Sequence, residues 1–341
     1  MGAGKPHSGS LGYYPRVRAA KHLPNFETFT ALEGKGAKPL NFVGYKAGMV
    51  SVFAKNAHEK SHRFGLETMI ASTVIECPPI KIVGARIYGK HSYGMNVFGE
   101  ATIDKPDNNF KRKVKSFKQK GKKSKEQKTY STLEDLEQFK PKAHKLVLLA
   151  QTQPSLTGMG KKKSDIFEMN LSGTIDEQFA FAKEKFGKEI KLSEALTQNE
   201  FIDIRAVNKG KGFQGVVKRF GVKVHRPKSK TRRIVGSIGP WHPPTVMWTV
   251  ARAGQMGYHT RTEFNKRVLA IESKAELVNP KAGFTNYGNV KSDFIVVAGS
   301  VAGALKRPIA MRHAMRVHDA NMNKFVDIKL PNQIATQKVK A

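Results

Sequence analysis

Runs of β-branched and aromatic residues, separated by glycine and proline, predict that this chain is mainly β. The first strand is predicted over residues 41–53, with a glycine-marked bend in its middle. Two more strands are predicted over residues 69–76 and 80–88, on either side of the turn signal Pro78-Pro79. Three strands with such short connections favour the start of a barrel or a curled antiparallel sheet. Later strands are predicted over residues 145–151, 166–171, 201–207, 267–272, 293–301 and 306–312.

Helical signals are concentrated between residues 89 and 198. Thr174 and Glu177 form a capping box, and Ile175, Phe179, Ala182 and Phe186 form an apolar stripe that ends at Gly187. A second helix is predicted to start over residues 131–134. Together with the strands between them, these helices predict an α/β insertion inside a β domain.

The pattern therefore predicts a chain of several parts. We expect an extended N-terminal arm over residues 1–40, in which frequent glycine and proline leave no helical or strand period. The remainder is predicted to contain a β domain over 41–88 and 199–330, and this domain includes a long basic loop over 208–262. An α/β insertion over 89–198, with a basic linker over 111–128, separates its two parts, and a loose tail follows over 331–341.

The charge of the chain indicates that this β protein binds a polyanion. The 341 residues contain 60 Lys or Arg and 27 Asp or Glu, a formal net charge of +33. Such a charge repels itself in a free globular protein and is typical of proteins that bind nucleic acid. An anionic membrane is the competing partner, but the chain has no apolar run of spanning length and no long amphipathic basic helix. Cys77 is the one cysteine and is predicted to be a buried apolar residue, and the first 21 residues lack a secretory signal, so a reducing cytoplasm is expected.

The charge is most one-sided between residues 204 and 262. This stretch has 13 Lys or Arg, three His and no Asp or Glu, and it includes eight glycines. Because no local acid neutralises it, it must be solvated or lie against an external polyanion. Trp241 lies near the middle, where its ring could stack on a base or could pack beneath the loop with Pro240 and Pro243.

Three motifs in the chain resemble those of enzymes, but each lacks a feature that the chemistry requires. Residues 58–62 match the HExxH pattern of zinc proteases, but they connect two predicted strands and no third ligand follows, so we interpret them as a hairpin loop. Residues 208–215 alternate glycine and lysine without the spacing of a P-loop. His242 and His259 have no carboxylate partner within the basic stretch, as general acid–base catalysis by histidine would require. We predict that the chain is not an enzyme, binds no metal and needs no cofactor.

Five motifs occur in an order that resembles the family of the third universal protein of the large ribosomal subunit, in its archaeal and eukaryotic form. The resemblance covers nearly the whole chain, the Trp-His-Pro sequence favours this branch over the bacterial one, and the short C-terminal end favours an archaeal member. The motifs are residues 10–13, 44–49, 209–213, 239–243 and 251–259.

The resemblance implies a six-stranded translation-protein β-barrel with an α/β insertion, an N-terminal arm and a long central loop. It implies a structural constituent of the large ribosomal subunit that binds rRNA, supports subunit assembly and extends Trp241 toward the peptidyl-transferase region. The expected partners are large-subunit rRNA and neighbouring ribosomal proteins, with no membrane and no small-molecule substrate. The expected location is the ribosome in the cytoplasm.

Basic, aromatic and hydrogen-bonding residues of the arm, the first strand and the loop are the candidate rRNA contacts. Two rival functions stay open: a nucleic-acid enzyme or metalloprotein built on residues 58–62, and a general basic chaperone without a defined RNA site. The candidates are His7, Ser10, Arg16, Arg18, Lys21, Lys46, Lys209, Lys211, Lys218, Arg219, Arg226, Lys228, Lys230, Arg232, Arg233, Trp241, His242, Arg252, Gln255, His259 and Arg261.

Overall fold

The computed structural model describes residues 10–30, 36–103, 106–114, 132–317 and 324–333, and within them the fold is mainly β, as predicted. Most of the predicted linker, residues 115–128, lies outside these ranges, as does most of the predicted tail. The strands are β1 (Asn41–Asn56), β2 (Glu67–Glu76), β3 (Ile80–His91), β4 (Gly94–Thr102), β5 (Lys145–Gln151), β6 (Ile166–Asn170), β7 (Glu189–Ile190), β8 (Phe201–Val207), β9 (Phe213–Gln214), β10 (Gly254–Gln255), β11 (Thr260–Glu272), β12 (Phe294–Ala298), β13 (Pro308–His313) and β14 (Phe325–Lys329). The helices are α1 (Asn108–Lys111), α2 (Leu133–Glu137), α3 (Ile175–Lys185), α4 (Leu192–Ala195) and α5 (Val216–Phe220).

The largest sheet contains seven strands in the order β13-β8-β11-β12-β2-β1-β14. Strand β13 pairs antiparallel with β8 and also with β1, so it has neighbours on both edges. The strand predictions over 41–53, 69–76, 201–207, 267–272, 293–301 and 306–312 are confirmed by members of this sheet.

The glycine-marked bend predicted in the first strand is confirmed as a register shift in β1, between Lys46 and Gly48. A Cβ atom added at Gly48 would lie 2.3 Å from a ring carbon of Phe284. Glycine is therefore needed there because an aromatic ring packs directly on the backbone of the bulge.

The second sheet has the order β4-β3-β5-β6, with β7 paired to β3. The expectation that the first three strands share one sheet is therefore wrong, because β3 pairs with β5 and not with β2. The chain changes sheets at Pro78-Pro79, and Ile80, Ile82 and Ile87 are then fully buried. The predictions over 145–151 and 166–171 are confirmed in this sheet, whereas β4 lacks a clear hydrophobic alternation and had no sequence prediction.

The capping residues fold as their spacing predicts. In α3 the Thr174 side chain accepts a hydrogen bond from the Glu177 amide, and the Glu177 carboxylate accepts one from the Thr174 amide. Helix α2 begins with the same reciprocal arrangement between Thr132 and Asp135. Gly187, with φ +73°, follows α3 and permits the left-handed turn that ends it.

The chain divides into two compact units: residues 10–22 with 207–261 form one, and the remaining described residues form the other. The predicted arm therefore does not behave as one segment, because Leu23 and Phe26 belong to the hydrophobic core of the second unit. Burial of these two apolar side chains fixes residues that the glycine and proline content alone assigned to an extended arm. Among the described residues, no helix has the length and apolar character needed to span a membrane.

The β1–β2 hairpin contains residues 58–62 in its loop, and Cys77 follows directly after β2. His58 and His62 lie in the loop between these strands, which confirms the prediction that this segment is a hairpin loop and not a helix. Over the described residues, no three His, Cys, Asp or Glu side chains cluster as metal ligands would. Cys77 is fully buried, as predicted, and burial raises the pKa of its thiol well above the ordinary value.

Candidate nucleic-acid interface

The two limbs of the basic loop are joined at their base by backbone hydrogen bonds. The Lys211 amide donates to the Met256 carbonyl at 2.9 Å, and the Met256 amide donates to the Gly212 carbonyl at 2.9 Å. Gly257 has φ +75°, and a Cβ atom there would lie 2.1 Å from the Lys209 carbonyl oxygen. Gly257, on the return limb, therefore allows that limb to approach the backbone of Lys209 and Lys211 closely.

Arg219, in α5, connects three segments of the same unit through backbone carbonyls. Its Nε donates to Gln255 O at 2.9 Å, its Nη1 to Arg252 O at 2.9 Å and its Nη2 to Arg16 O at 3.2 Å. Burial lowers the pKa of its guanidinium, and the positive charge of Arg16 lowers it further. Because the planar guanidinium directs N–H groups at three carbonyls on three segments, which the compact ammonium of lysine cannot reach together, arginine fits this position and lysine does not.

His259 holds the N-terminal arm against the return limb of the loop. Its Nε2 accepts from the Gly257 amide at 3.0 Å, so its Nδ1 carries the proton that is donated to Val17 O at 2.9 Å. Burial lowers the pKa of His259, and the nearby positive charges of Arg261, Arg16 and Arg219 add to this, so the net shift is downward although the hydrogen bond to the Val17 carbonyl raises the pKa. The neutral ring is therefore the form that fits this site.

Aromatic rings complete the contact between arm and loop. Tyr14 lies edge-on to Trp248, with 5.6 Å between the ring centroids, and its ring is 6.2 Å from that of Phe220. The Arg16 guanidinium lies 4.0 Å above the centre of the Phe220 ring. These contacts give residues 14–17 a defined place on the loop without any acidic partner.

Beyond α5 the loop has no regular secondary structure over residues 221–253. A turn near its middle is closed by the His225 amide, which donates to the Arg232 carbonyl at 3.0 Å. The cationic side chains of this part point to the surface. Those exposed are Lys223, Arg226, Lys228, Lys230, Arg232 and Arg233.

Trp241 is 87% exposed, so its indole does not pack beneath the loop. It lines an open concavity of about 380 Å³ together with Ile238, Pro240, Pro243 and Val246. The prolines restrict the backbone around the ring, and this leaves a flat apolar surface available to a partner.

A sequence model described as Ribosomal protein L3 matches residues 2–337 of the chain. The chain belongs to the ribosomal protein L3 family. It is 39% identical over 339 residues to the large ribosomal subunit protein uL3 of Methanobrevibacter smithii, covering 98% of this chain and 97% of that protein. It is also 39% identical to the proteins of the same name from Methanocaldococcus jannaschii, with 92% of each chain covered, and Archaeoglobus fulgidus, with 94% of each covered. These relatives confirm the archaeal type of the L3 family, and membership in a family of structural ribosomal proteins confirms that the chain is not an enzyme.

Many of the candidate rRNA contacts of this L3-family chain are exposed. His7 lies outside the described residues. Ser10 is exposed, but its hydroxyl already accepts a hydrogen bond from the Gly12 amide. The other exposed candidates are Arg18, Lys21, Lys209, Lys211, Lys218, Arg226, Lys228, Lys230, Arg232, Arg233, Trp241, His242 and Arg252.

Six candidates instead direct their polar groups into the protein. Gln255 donates to the carbonyls of Met256 and Gly257, and Arg261 donates to Thr260 O and lies over the Tyr13 ring. Arg16, Arg219 and His259 make the contacts described above.

Lys46 is the sixth inward-directed candidate and the only one of the six in the second unit. Its side chain is buried, with 8% exposure, and its Nζ donates to the carbonyls of Val301 and Gly303. The exposed lysine that the sequence suggested is thus an internal link between backbone segments.

Two exposed aromatic residues of the L3-family loop were missed by the sequence reasoning. Trp248 is 65% exposed and Phe213 is exposed to a similar extent. The signal was present, because Trp248 lies in the same acid-free stretch as Trp241, seven residues later, and Phe213 follows Gly212 directly. Such aromatic side chains among cations are typical of single-stranded nucleic-acid surfaces.

Proposed function

We propose that the chain is a structural constituent of the large ribosomal subunit. The uL3 proteins to which it is 39% identical are named as proteins of the large ribosomal subunit. The charge of +33 supports the same assignment, because a free protein with this charge would repel itself.

The observation that carries the proposal is the chemistry of the loop over residues 208–262. It exposes cations and large apolar side chains together, and the stretch from 204 to 262 contains no acid. An apolar surface next to uncompensated positive charge is stable when phosphates neutralise the charge and bases cover the rings. The partner proposed for it is therefore large-subunit rRNA, on ribosomes in the cytoplasm.

We assign different roles to the outward and inward candidates. The exposed cations of the arm and loop meet phosphates, and Trp241 stacks on a base or docks in a groove. Arg16, Arg219, His259 and Arg261 position the arm on the loop, and Gln255 stabilises the return limb. This division is supported by their short hydrogen bonds to backbone atoms of the same unit.

We also infer that six strands close into the translation-protein barrel that the family resemblance implies. The double pairing of β13, with β8 and with β1, supports closure of a ring formed by β1, β2, β12, β11, β8 and β13. In this division the arm precedes the barrel in the chain, the loop connects β8 to β11, and the α/β insertion begins with β3.

The experiment that tests the function uses chains expressed in an archaeal host and recovered with large subunits after a high-salt wash. Subunits containing the Trp241→Ala chain are then compared with wild-type subunits by chemical probing of the rRNA. We expect normal recovery, because one stacking contact is worth only about 1–3 kcal/mol, together with altered reactivity near the peptidyl-transferase region.

Two results would contradict the proposal. Loss of the wild-type chain in the wash would argue against a structural constituent, and unchanged probing would remove Trp241 from the RNA interface. A general basic chaperone is distinguished by binding at matched high salt, since it would bind large-subunit rRNA no more tightly than random RNA.

A further inference from the structure

The outward face of the β1–β2 hairpin carries apolar residues where a solvent-facing sheet is ordinarily polar. Val52 and Ala54 point inward and are fully buried, so Met49, Ser51 and Phe53 occupy the outward positions of β1. The exposed fractions of Met49 and, on β2, Met69 are 50% and 65%.

The strand register brings these side chains together. Phe53 pairs with Met69, and Ser51 pairs with Ala71. Side chains of directly paired residues lie on the same face about 5 Å apart, so these four form one continuous surface with Met49 at its end. Phe64 and Leu66, which are exposed in the hairpin loop, continue the apolar character toward the tip.

The exposed charges in the strands that form this surface are compensated. Lys55 Nζ lies 2.9 Å from Asp327 Oδ2, and Lys329 Nζ lies 3.0 Å from Glu67 Oε1. Asp327 is in β14, which pairs with β1 at Lys55, and Glu67 is in β2, two residues before Met69. Val326, which pairs with Lys55, is itself exposed. The basic loop over 208–262 also exposes apolar side chains, but without a single carboxylate.

We propose that this face, defined by Met49, Phe53, Met69, Ala71 and Val326, docks against another protein of the large subunit. The proposal rests on the proposed function, and it names the kind of partner that this surface takes. The partner is a protein with an apolar strip, which covers the two methionines and Phe53.

Charge decides between a protein and RNA as the occupant. A phosphate backbone on this face would lie within one Debye length, about 8–10 Å, of the carboxylates of Glu67 and Asp327, and both adjacent lysines already have acidic partners. RNA would therefore gain little from counterion release here. Protein interfaces are rich in Met and aromatic residues, as this face is, and the lysines that pair with Phe53 and Val326 have acidic partners of their own.

A benzophenone amino acid at position 69 tests the proposal in assembled large subunits. Irradiation is followed by digestion with ribonuclease or with protease. We expect a crosslinked product that resists ribonuclease and contains a peptide of a second ribosomal protein. A crosslink to RNA, or none, would overturn the inference.

The same photoreactive residue at position 232 is the matched control, because Arg232 is assigned to RNA. An RNA crosslink at 232 with no protein crosslink at 69 would reject the docking face alone, whereas no RNA crosslink at 232 would count against the proposed function. Hydroxyl-radical oxidation of the unaltered chain gives a second measurement. Met69 and Met49 should lose most of their oxidation in subunits compared with the free chain, and protection absent at both would also reject the docking face.

Discussion

Arg16 and Arg219 each donate a side-chain hydrogen bond to the backbone carbonyl of the other. Arg16 Nη1 lies 2.7 Å from Arg219 O, and Arg219 Nη2 lies 3.2 Å from Arg16 O. Two like charges are held together because the negative ends of peptide dipoles take the place of carboxylates. This explains how an acid-free stretch can contain a defined structure at its base.

Arg219→Lys should loosen the junction of the two limbs. An ammonium group cannot satisfy the carbonyls of Gln255, Arg252 and Arg16 together, so we expect local opening to become easier by about 2 kcal/mol. Hydrogen exchange at the Lys211 and Met256 amides measures this opening. Lys218→Arg, on the same helix and exposed, is the control; equal protection in the two variants would contradict the assignment.

Attachment of the arm should weaken in acid through His259. Its pKa is lowered in the folded protein, so below about 6.5 the unfolded chain binds more protons than the folded one. The stabilisation is complete above the unfolded pKa and is lost as pH falls through the folded pKa. The protection factor of the Ala19 amide, which donates to Tyr258 O, should therefore fall as the pH is lowered from 7.5 into the range below about 6.5.

His259→Gln is the matched variant for this pH effect. It removes the titrating ring, so the Ala19 amide should be less protected at pH 7.5 and should respond less to acid. Other groups that respond to acid, such as Glu200, are present in both the wild type and the variant and affect them equally. Burial raises the pKa of Glu200, but hydrogen bonds from His313 and Thr197, together with the charge of His313, lower it overall. An identical pH response in the two proteins would exclude His259 as its source.

Arg232 and Arg233 should contribute to RNA affinity through phosphates. Replacing each with alanine should reduce the slope of log affinity against log salt by about 0.7–0.9, and the double variant by roughly twice that. Filter binding to a large-subunit rRNA fragment over a salt series measures the slope. The control variant, Lys60→Ala with Arg63→Ala, removes two exposed cations outside the basic loop over 208–262 and should leave the slope unchanged. If both double variants lower the slope equally, binding is not localised to the loop.

Lys46 should matter for folding and not for RNA contact. Lys46→Ala leaves the buried carbonyls of Val301 and Gly303 without this donor, so we expect the free energy of unfolding to drop by about 2–4 kcal/mol. Urea unfolding measures the change, with the exposed Lys55→Ala on the same strand as the control. The salt slope of RNA binding by the folded variant should equal that of the wild type; a reduced slope would return Lys46 to the RNA surface.

Local signals determined much of the fold. The strand predicted over residues 201–207 and the capping box at Thr174 and Glu177 are found where the sequence indicated them, because short-range periodicity and capping depend on neighbours in the chain. Strand β14 was not predicted from the sequence. Its backbone is irregular, because Asp327 has φ +51°, and its place in the sheet depends on pairing with β1.

The family motifs, the mainly β character and the acid-free basic stretch with Trp241 near its middle can all be read from local sequence. The place of β3 in the second sheet, the inward direction of Lys46 and His259 and the outward direction of Trp241 are properties of the folded chain. The physical reason is that charge and propensity belong to a residue, whereas burial and hydrogen-bond partners depend on segments far away in the chain. His259 meets Val17 across 242 positions of sequence, and no local pattern encodes that contact.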